Sequence, residues 1–454
     1  MHPTTTIRTE LEGFLRRKGL NFSQLGREAG LNPGTVSSII NGNRVMAVDQ
    51  LDRMTAVLGL PQGYYYEQYI QESMVDTVPD WRRIKPFLYR CAELDKLDCI
   101  RQIVMLLLDN LIYSPLLFEV AEDFFNEGRS EAAILLYESV ATSERRQHSE
   151  RLAFCHYRLF TLRLGENQED NLLAALQFEP FVDRLDEIDQ LDALRDLANT
   201  FRSMRRWDKV DKIAKDMGTK AKIQLINAQQ DRRREEPTKK TKRPLFVYLA
   251  LSNLFRGAVS DARGDHNEAL EFNYTYADLS WVKEEDEETR YWVKMLEAWA
   301  QANIWVCKLF YGDSSVIKDY VAYIEQNRNE TLTGLLNILT AANQFDYEVD
   351  DIIKKFENEI LSYIQLSQPA SVGVYSKEVI TERADRLLFE LAKYNLKKGL
   401  YVLGFSYLTN ALHKSILLNN DSFILDCVRL FEKYREFSSI ETQTEYWNLL
   451  KEEE

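Results

Sequence analysis

LLFEVAEDFFNEGRSEAAILLYESV (residues 116–140) decides the fold. Leu117, Val120, Ala121 and Phe124 recur at helical spacing, so they share one apolar stripe. Gly128 supplies a residue free to turn the chain, and Ala133 places a small side chain on the helix that follows. Two helices with one apolar stripe each bury them by pairing. The same spacing returns in RLLFELAKYNLKKGLYVLGFSYLTNAL (386–412), through Leu388, Leu391, Ala392, Gly399, Gly404 and Ala411. Degenerate copies occupy 194–214 (LRDLANTFRSMRRWDKVDKIA) and 251–272 (LSNLFRGAVSDARGDHNEALEF), where Ser260 stands in an aromatic position. The predicted fold class is all-α, with helix pairs stacked along most of the chain.

Composition agrees with this. The chain has 454 residues, more than one helical core usually holds. Its 18 Gly and 10 Pro are too few for the many turns of an all-β, collagen-like or disordered chain. Five cysteines, odd in number and scattered, suit a reducing cytoplasm better than a disulfide framework. Residues 1–19 lack the apolar segment of a secretory signal. The most apolar run, 103–118, is broken by Asp109, Asn110 and Pro115 and is too short to span a bilayer. A cytoplasmic protein without membrane contact is expected. The net charge of −14 is unevenly placed. Residues 1–72 hold seven bases and seven acids, which leaves 50 bases and 64 acids for the rest. Nucleic acid would be repelled by the larger part and tolerated by the first.

Within that neutral first part, NFSQLGREAGLNPGTVSSIINGNR (21–44) carries dense helix punctuation. Asn21 and Gln24 form a capping-box pattern, Gly30 suits a tight turn, and Asn32-Pro33 opens the next helix. That helix buries Val36 and Ile39 and presents Gly34, Thr35, Ser37, Ser38 and Asn41 outward. The run resembles the repressor (Xre/Cro) class of helix-turn-helix, with Leu25, Gly26, Ala29, Gly30, Val36, Ser37, Ile39, Asn41 and Gly42 at pattern positions. Phe22 replaces a frequent Gln, and Gly26 a more usual Ala. The resemblance implies a recognition helix in the major groove, with Thr35 and Ser38 at base edges and close backbone approach at Gly34. Ser23, Arg27, Asn43 and Arg44 would contact phosphates. The expected limits are 1–62 for this domain, 63–80 for a connecting helix and 81–454 for the helical repeats.

The repeats resemble the tetratricopeptide type, which implies a right-handed α-solenoid with a concave groove. Extended peptides suit such a groove where amides capture their backbone groups. Asn303 shares a stripe with Trp299, Asn253 lies with Gly257 and Ser260, and Arg195, Asn199 and Arg202 point to one face. Thr333, Asn337, Thr340 and Gln344 form a polar stripe. Each Asn also fits a core amide bonded to a neighbouring helix. A repressor-type module followed by such an array resembles the peptide-sensing regulators grouped as RRNPP, of the NprR, PlcR and Rgg kind. That resemblance implies a homodimeric transcription factor of quorum sensing, binding a double-stranded DNA operator and a short linear signalling peptide. It also implies backbone-binding roles for Asn199, Asn253, Asn303 and Asn337, with Arg195, Arg202, Arg256 and Trp299 beside them. The alternative is a regulator whose array docks a partner protein.

Catalytic signatures are missing from the sequence. No phosphate loop, GxGxxG or GxSxG occurs. Cys91 and Cys99 are too far apart for CxxC chemistry, and His266, like the other histidines, is isolated from the cysteines. No enzyme activity, cofactor or metal is expected. The segment 227–244, with seven bases and no apolar period, reads as a solvated loop or a helix end followed by one.

Overall fold

The computed structural model describes residues 6–75, 78–108, 110–147, 149–165, 167–231, 240–283, 286–365 and 377–451. Among the described residues every regular element is a helix. The chain divides into two compact units, residues 1–162 and 163–454.

The first unit begins with α1 (Ile7–Lys18), α2 (Phe22–Glu28), α3 (Pro33–Ile40), α4 (Val48–Val57) and α5 (Tyr66–Ser73). The expected caps form. Asn21 Oδ1 accepts from the Gln24 N–H at 2.9 Å, and Gln24 Oε1 accepts from the Asn21 N–H at 2.8 Å. Asn32 Oδ1 accepts from the Gly34 N–H at 2.8 Å, so α3 starts at Pro33 with its first turn satisfied. The α2–α3 turn is tight, because the Leu31 N–H reaches the Gly26 carbonyl at 2.6 Å. A β-carbon on Gly26 would lie 2.7 Å from the Leu31 carbonyl oxygen, closer than van der Waals contact allows. Gly26→Ala is therefore expected to destabilise this unit by about 1–3 kcal/mol, seen as a lower thermal midpoint. An unchanged midpoint would mean the turn relaxes freely.

The segment expected to connect the domains is firmly held. Tyr66, Tyr69 and Ile70 of α5 are buried. The Tyr69 hydroxyl donates to the Met46 carbonyl, and the Tyr66 hydroxyl donates to Asp52 at 2.8 Å. Glu72 accepts the Ile7 N–H at 3.0 Å and so satisfies the first turn of α1. The unit continues through α6 (Trp81–Glu93), α7 (Leu97–Leu107), α8 (Tyr113–Asn126), α9 (Ser130–Ser143) and α10 (Glu150–Arg163). Arg90 of α6 reaches Asp52 of α4 at 2.7 Å. One apolar core runs from Ile7 to Leu159. Compactness divides the chain after Leu162, while the limits drawn at 62 and 80 mark changes of sequence pattern.

The second unit holds α11 (Gln168–Phe178), α12 (Glu187–Ser203), α13 (Trp207–Asp231), α14 (Leu245–Ala262), α15 (His266–Ala277), α16 (Glu287–Phe310) and α17 (Ile317–Gln326). It continues with α18 (Thr331–Phe345), α19 (Asp350–Lys355), α20 (Glu357–Gln365), α21 (Lys377–Lys397), α22 (Tyr401–Leu417), α23 (Asp421–Tyr434) and α24 (Ile440–Lys451). Repeat positions from the sequence are core: Leu388, Leu391, Ala392 and Ala411 are buried here, as are Leu117, Val120, Ala121 and Phe124 in the first unit. The helices pair as that spacing implies, α12 with α13, α14 with α15, and α21 with α22. In the basic segment, α13 runs on to Asp231, and residues 232–239 lie outside the described residues.

The inner helices of the pairs close on themselves. α12 packs on α14, α14 on α16, α16 on α18 and α18 on α21, and α21 comes back against α12. The Gln168 N–H, at the start of α11, donates to the Leu418 carbonyl beyond α22 at 3.1 Å. The concave face expected of a stacked array is here a recess within this ring, open to solvent, to which α15 and α17 add His266, Asn273, Tyr320 and Tyr323.

Candidate functional site

In the first unit, the residues expected to meet nucleic acid lie on α2, α3 and the turn after α3, and none is buried. Ser23, Arg27, Gly34, Asn41, Asn43 and Arg44 are exposed; Thr35, Ser37 and Ser38 are half-buried along α3. Val36, Ile39 and Ile40 are buried on its other side, which fixes the rotation of the helix. Asn41 Nδ2 donates to Ser37 Oγ at 3.1 Å, so these two side chains hold one another. The Asn43 and Arg44 N–H groups both reach the Ser38 carbonyl, at 2.9 and 3.1 Å, which ends the helix tightly. The Arg8 guanidinium lies beside Gly42, where a β-carbon would come within 2.7 Å of it. It adds a cation to this edge that the local motif did not reveal. Arg53 instead bonds the Gly30 carbonyl at 3.1 Å and serves the α2 terminus.

In the second unit, the ring of α12, α14, α16, α18 and α21 surrounds a solvent-open cavity of about 710 Å³. Four of the residues expected to bind peptide line it: Arg202, Trp299, Asn303 and Asn337. The whole Thr333, Asn337, Thr340, Gln344 stripe lines it as well. Asn303 Nδ2 donates to the Tyr276 hydroxyl at 2.7 Å, and Asn337 Nδ2 to the Tyr320 hydroxyl at 3.0 Å. These bonds orient each amide, and among the described residues no donor engages its Oδ1, which leaves it ready to accept from a ligand N–H.

The other expected contacts lie elsewhere. Asn199 is buried and, with Arg195, borders a separate recess against Leu251, Leu254 and Phe255 that is too small for a ligand. Arg195 pairs with Asp196. Arg256 is held by Asp211 at 3.4 Å and over the Phe272 ring at 4.4 Å. Asn253 is half-buried away from the cavity. It precedes Gly264 by the interval that separates Leu117 from Gly128, so it occupies a packing position of the repeat.

Sequence reading missed much of the lining. Arg205, Arg263, Arg383 and Arg386 join Arg202 there, against Asp261, Glu330, Glu382 and Glu390. The acid surplus of the chain therefore stops at the cavity wall, which offers no preference for a basic peptide. His266 and Cys307, isolated from each other in sequence, meet through Asp261. His266 Nδ1 stands 3.0 Å from Asp261, the Cys307 thiol donates to Asp261 at 3.4 Å, and Asn273 Nδ2 approaches the sulfur at 3.3 Å. Burial and the Asp261 charge push the Cys307 thiol far up, which keeps it protonated and poor as a nucleophile. Burial also raises the Asp261 carboxyl, opposed by His266 and the thiol. Among the described residues no group of three or more His, Cys, Asp or Glu is placed to hold a metal ion. No helix among them is long and apolar enough to cross a membrane.

Behind the wall, Asp385 of α21 is buried, and desolvation pushes its pKa up to about 7, with Glu382 adding and Lys414 opposing. A raised carboxyl means the folded chain binds a proton that the unfolded chain releases between about pH 4 and 7. Its stabilising effect is complete below that window and lost as pH rises through 7. Asp385→Asn is expected to flatten this dependence and to raise stability at pH 8 by at most about 3–4 kcal/mol. Melts of both proteins at pH 5 and pH 8 check it; parallel curves would count against a buried, neutral Asp385.

No family model matches the chain, and no curated protein does. Among solved structures, one neighbour is described as a "Circular tandem repeat protein with novel repeat topology and enhanced subunit contact surfaces". It shares 11% identity, covers 98% of this chain and 100% of its own, and superposes with a TM-score of 0.17. At that score the likeness carries no argument about fold or function.

Proposed function

We propose that this chain is a DNA-binding transcriptional regulator controlled by a short signalling peptide that binds in the cavity of the second unit. In this reading α2 and α3 form a repressor-type helix-turn-helix with α3 as the recognition helix. The pairs from α6 onward are tetratricopeptide-type repeats. The observation that carries the reading is the convergence of Arg202, Trp299, Asn303 and Asn337, from α12, α16 and α18, on one cavity. Its volume of about 710 Å³ falls in the range of small-ligand sites and is far below that of a folded partner. This favours a peptide over a docked protein domain. The RRNPP resemblance supplies the same pairing of DNA module and peptide receptor, and control of the quorum-sensing kind.

The direct test is selection from a random duplex pool with the full-length protein. The reading expects a defined sequence, retained less as salt rises. A pool that stays random at every salt concentration would count against it.

A neutral DNA module makes few phosphate contacts, so useful affinity calls for two linked copies. Val402, Leu417, Leu425, Phe437, Ile440 and Trp447 of the last helices and their connections are exposed and offer apolar surface for self-association. Sedimentation at micromolar concentration is expected to show a homodimer; a monomer with and without DNA would contradict this.

A further inference from the structure

A second cavity, of about 530 Å³, adjoins the first. Its walls come from the start of α11, the turn between α12 and α13, α21 and the start of α23. Three side chains line both cavities: Arg205, Glu382 and Arg386. They form the partition between them. We propose that Arg205 and Arg386 are a seat for an oxyanion, and that its occupant is the C-terminal carboxylate of the bound peptide. This rests on the peptide reading above.

The repeat itself singles out Arg205. Gly128, Gly264 and Gly399 end the first helix of their pairs at φ values of 75°, 81° and 77°. Arg205 takes the same place, following Leu194 as Gly128 follows Leu117, and its φ is 54°. Glycine adopts this left-handed backbone freely, and a β-carbon makes it costly. An arginine kept there against backbone strain points to a use for its side chain.

That side chain has no anionic partner in contact. Arg263 pairs with Asp208 at 2.6 Å, Arg386 pairs with Glu382, and Arg383 donates to the Thr333 hydroxyl. The Arg205 guanidinium stands over the Trp207 ring at 5.8 Å and makes no hydrogen bond or ion pair with the described residues. Desolvation pulls its pKa down, the nearby Arg386 charge pulls it further, and Glu382, Asp426 and Glu390 push back. Two guanidiniums facing one space are eased by a shared anion, which both can grip with parallel N–H donors.

Carboxylate and free phosphate share this chemistry, and Gln168 favours the first. Its Oε1 lies in a side chain that lines the second cavity, is buried, and accepts no hydrogen bond. A buried acceptor left open calls for a donor. The end of a peptide brings a carboxylate together with amide N–H groups set apart from it along the chain, whereas the P–OH donors of phosphate sit on the anion itself.

The test uses a synthetic octapeptide pool made twice, as free acids and as C-terminal amides, with affinity selection on the full-length protein. The acids are expected to be retained about tenfold better than the amides, the effect of one charge-assisted contact. In Arg205→Gly, which restores the glycine of the other copies and should melt no lower than the parent, that preference should vanish. Equal retention of both pools by the parent overturns the seat and leaves the peptide reading standing. A preference for acids that survives in Arg205→Gly also overturns it. If neither pool is retained the peptide reading fails, and calorimetric titration with inorganic phosphate decides. Binding lost in Arg205→Gly keeps an oxyanion seat with phosphate as its source, and no binding removes it.

Discussion

Arg44→Ala is expected to weaken binding to a selected duplex and to a random one by similar factors. It should also lower the slope of log affinity against log salt by about one. Arg44 is exposed just beyond α3, with its backbone N–H fixed on the Ser38 carbonyl at 3.1 Å, so its side chain leaves the face from a rigid base. In the proposed reading a guanidinium so placed meets phosphate and carries register rather than sequence. Thr35→Ala and Ser38→Ala should act differently. Both side chains lie along the half-buried flank of α3, and their loss should change the preferred base at one position by about 1–3 kcal/mol with little change on random DNA. Binding curves for the three variants on both duplexes separate the roles. Equal losses for all three on both duplexes would sink the assignment of α3 as a reading helix.

Asn303→Ala and Asn337→Ala are each expected to cost about 1–3 kcal/mol of peptide affinity. Each amide is pinned by its bond to a tyrosine hydroxyl, so its open Oδ1 is oriented before the ligand arrives. Asn253→Ala is the internal control, because Asn253 lies away from the cavity and should leave affinity unchanged. Titration of the selected peptide into the three variants, with melts to establish folding, checks this. Unchanged affinity in folded Asn303→Ala and Asn337→Ala would place the peptide elsewhere. If both variants unfold, the amides are core groups.

The features legible in the sequence were local ones. The caps at Asn21 and Asn32 and the buried faces of α3, α8 and α21 depend on residues a few places apart, and spacing alone predicts them. The polar stripe of α18 was legible for the same reason. Periodicity places Asn253 and Asn303 on helical faces equally well, but cannot say which face turns inward. The return of α21 onto α12 joins residues far apart in sequence, so the ring around the cavity had no local signature. Asp261, His266 and Cys307 meet from α14, α15 and α16, again without a shared motif. Arg205 was legible in principle, since aligning the four copies on their turns leaves it as the exception among glycines. The tyrosines of α5 gave a weaker signal: aromatic residues in a supposed connector are a reason to expect burial.

In the proposed reading a ligand in the second unit changes DNA binding by the first. The most direct measurement is the affinity of the full-length protein for its selected duplex, at fixed salt, with and without a saturating selected peptide. A shift of about five- to 150-fold, in either direction, is expected, corresponding to a coupling of about 1–3 kcal/mol. The shift should need higher peptide concentrations in Asn303→Ala. A peptide that binds tightly and leaves DNA affinity unchanged would rule out coupling between the two sites.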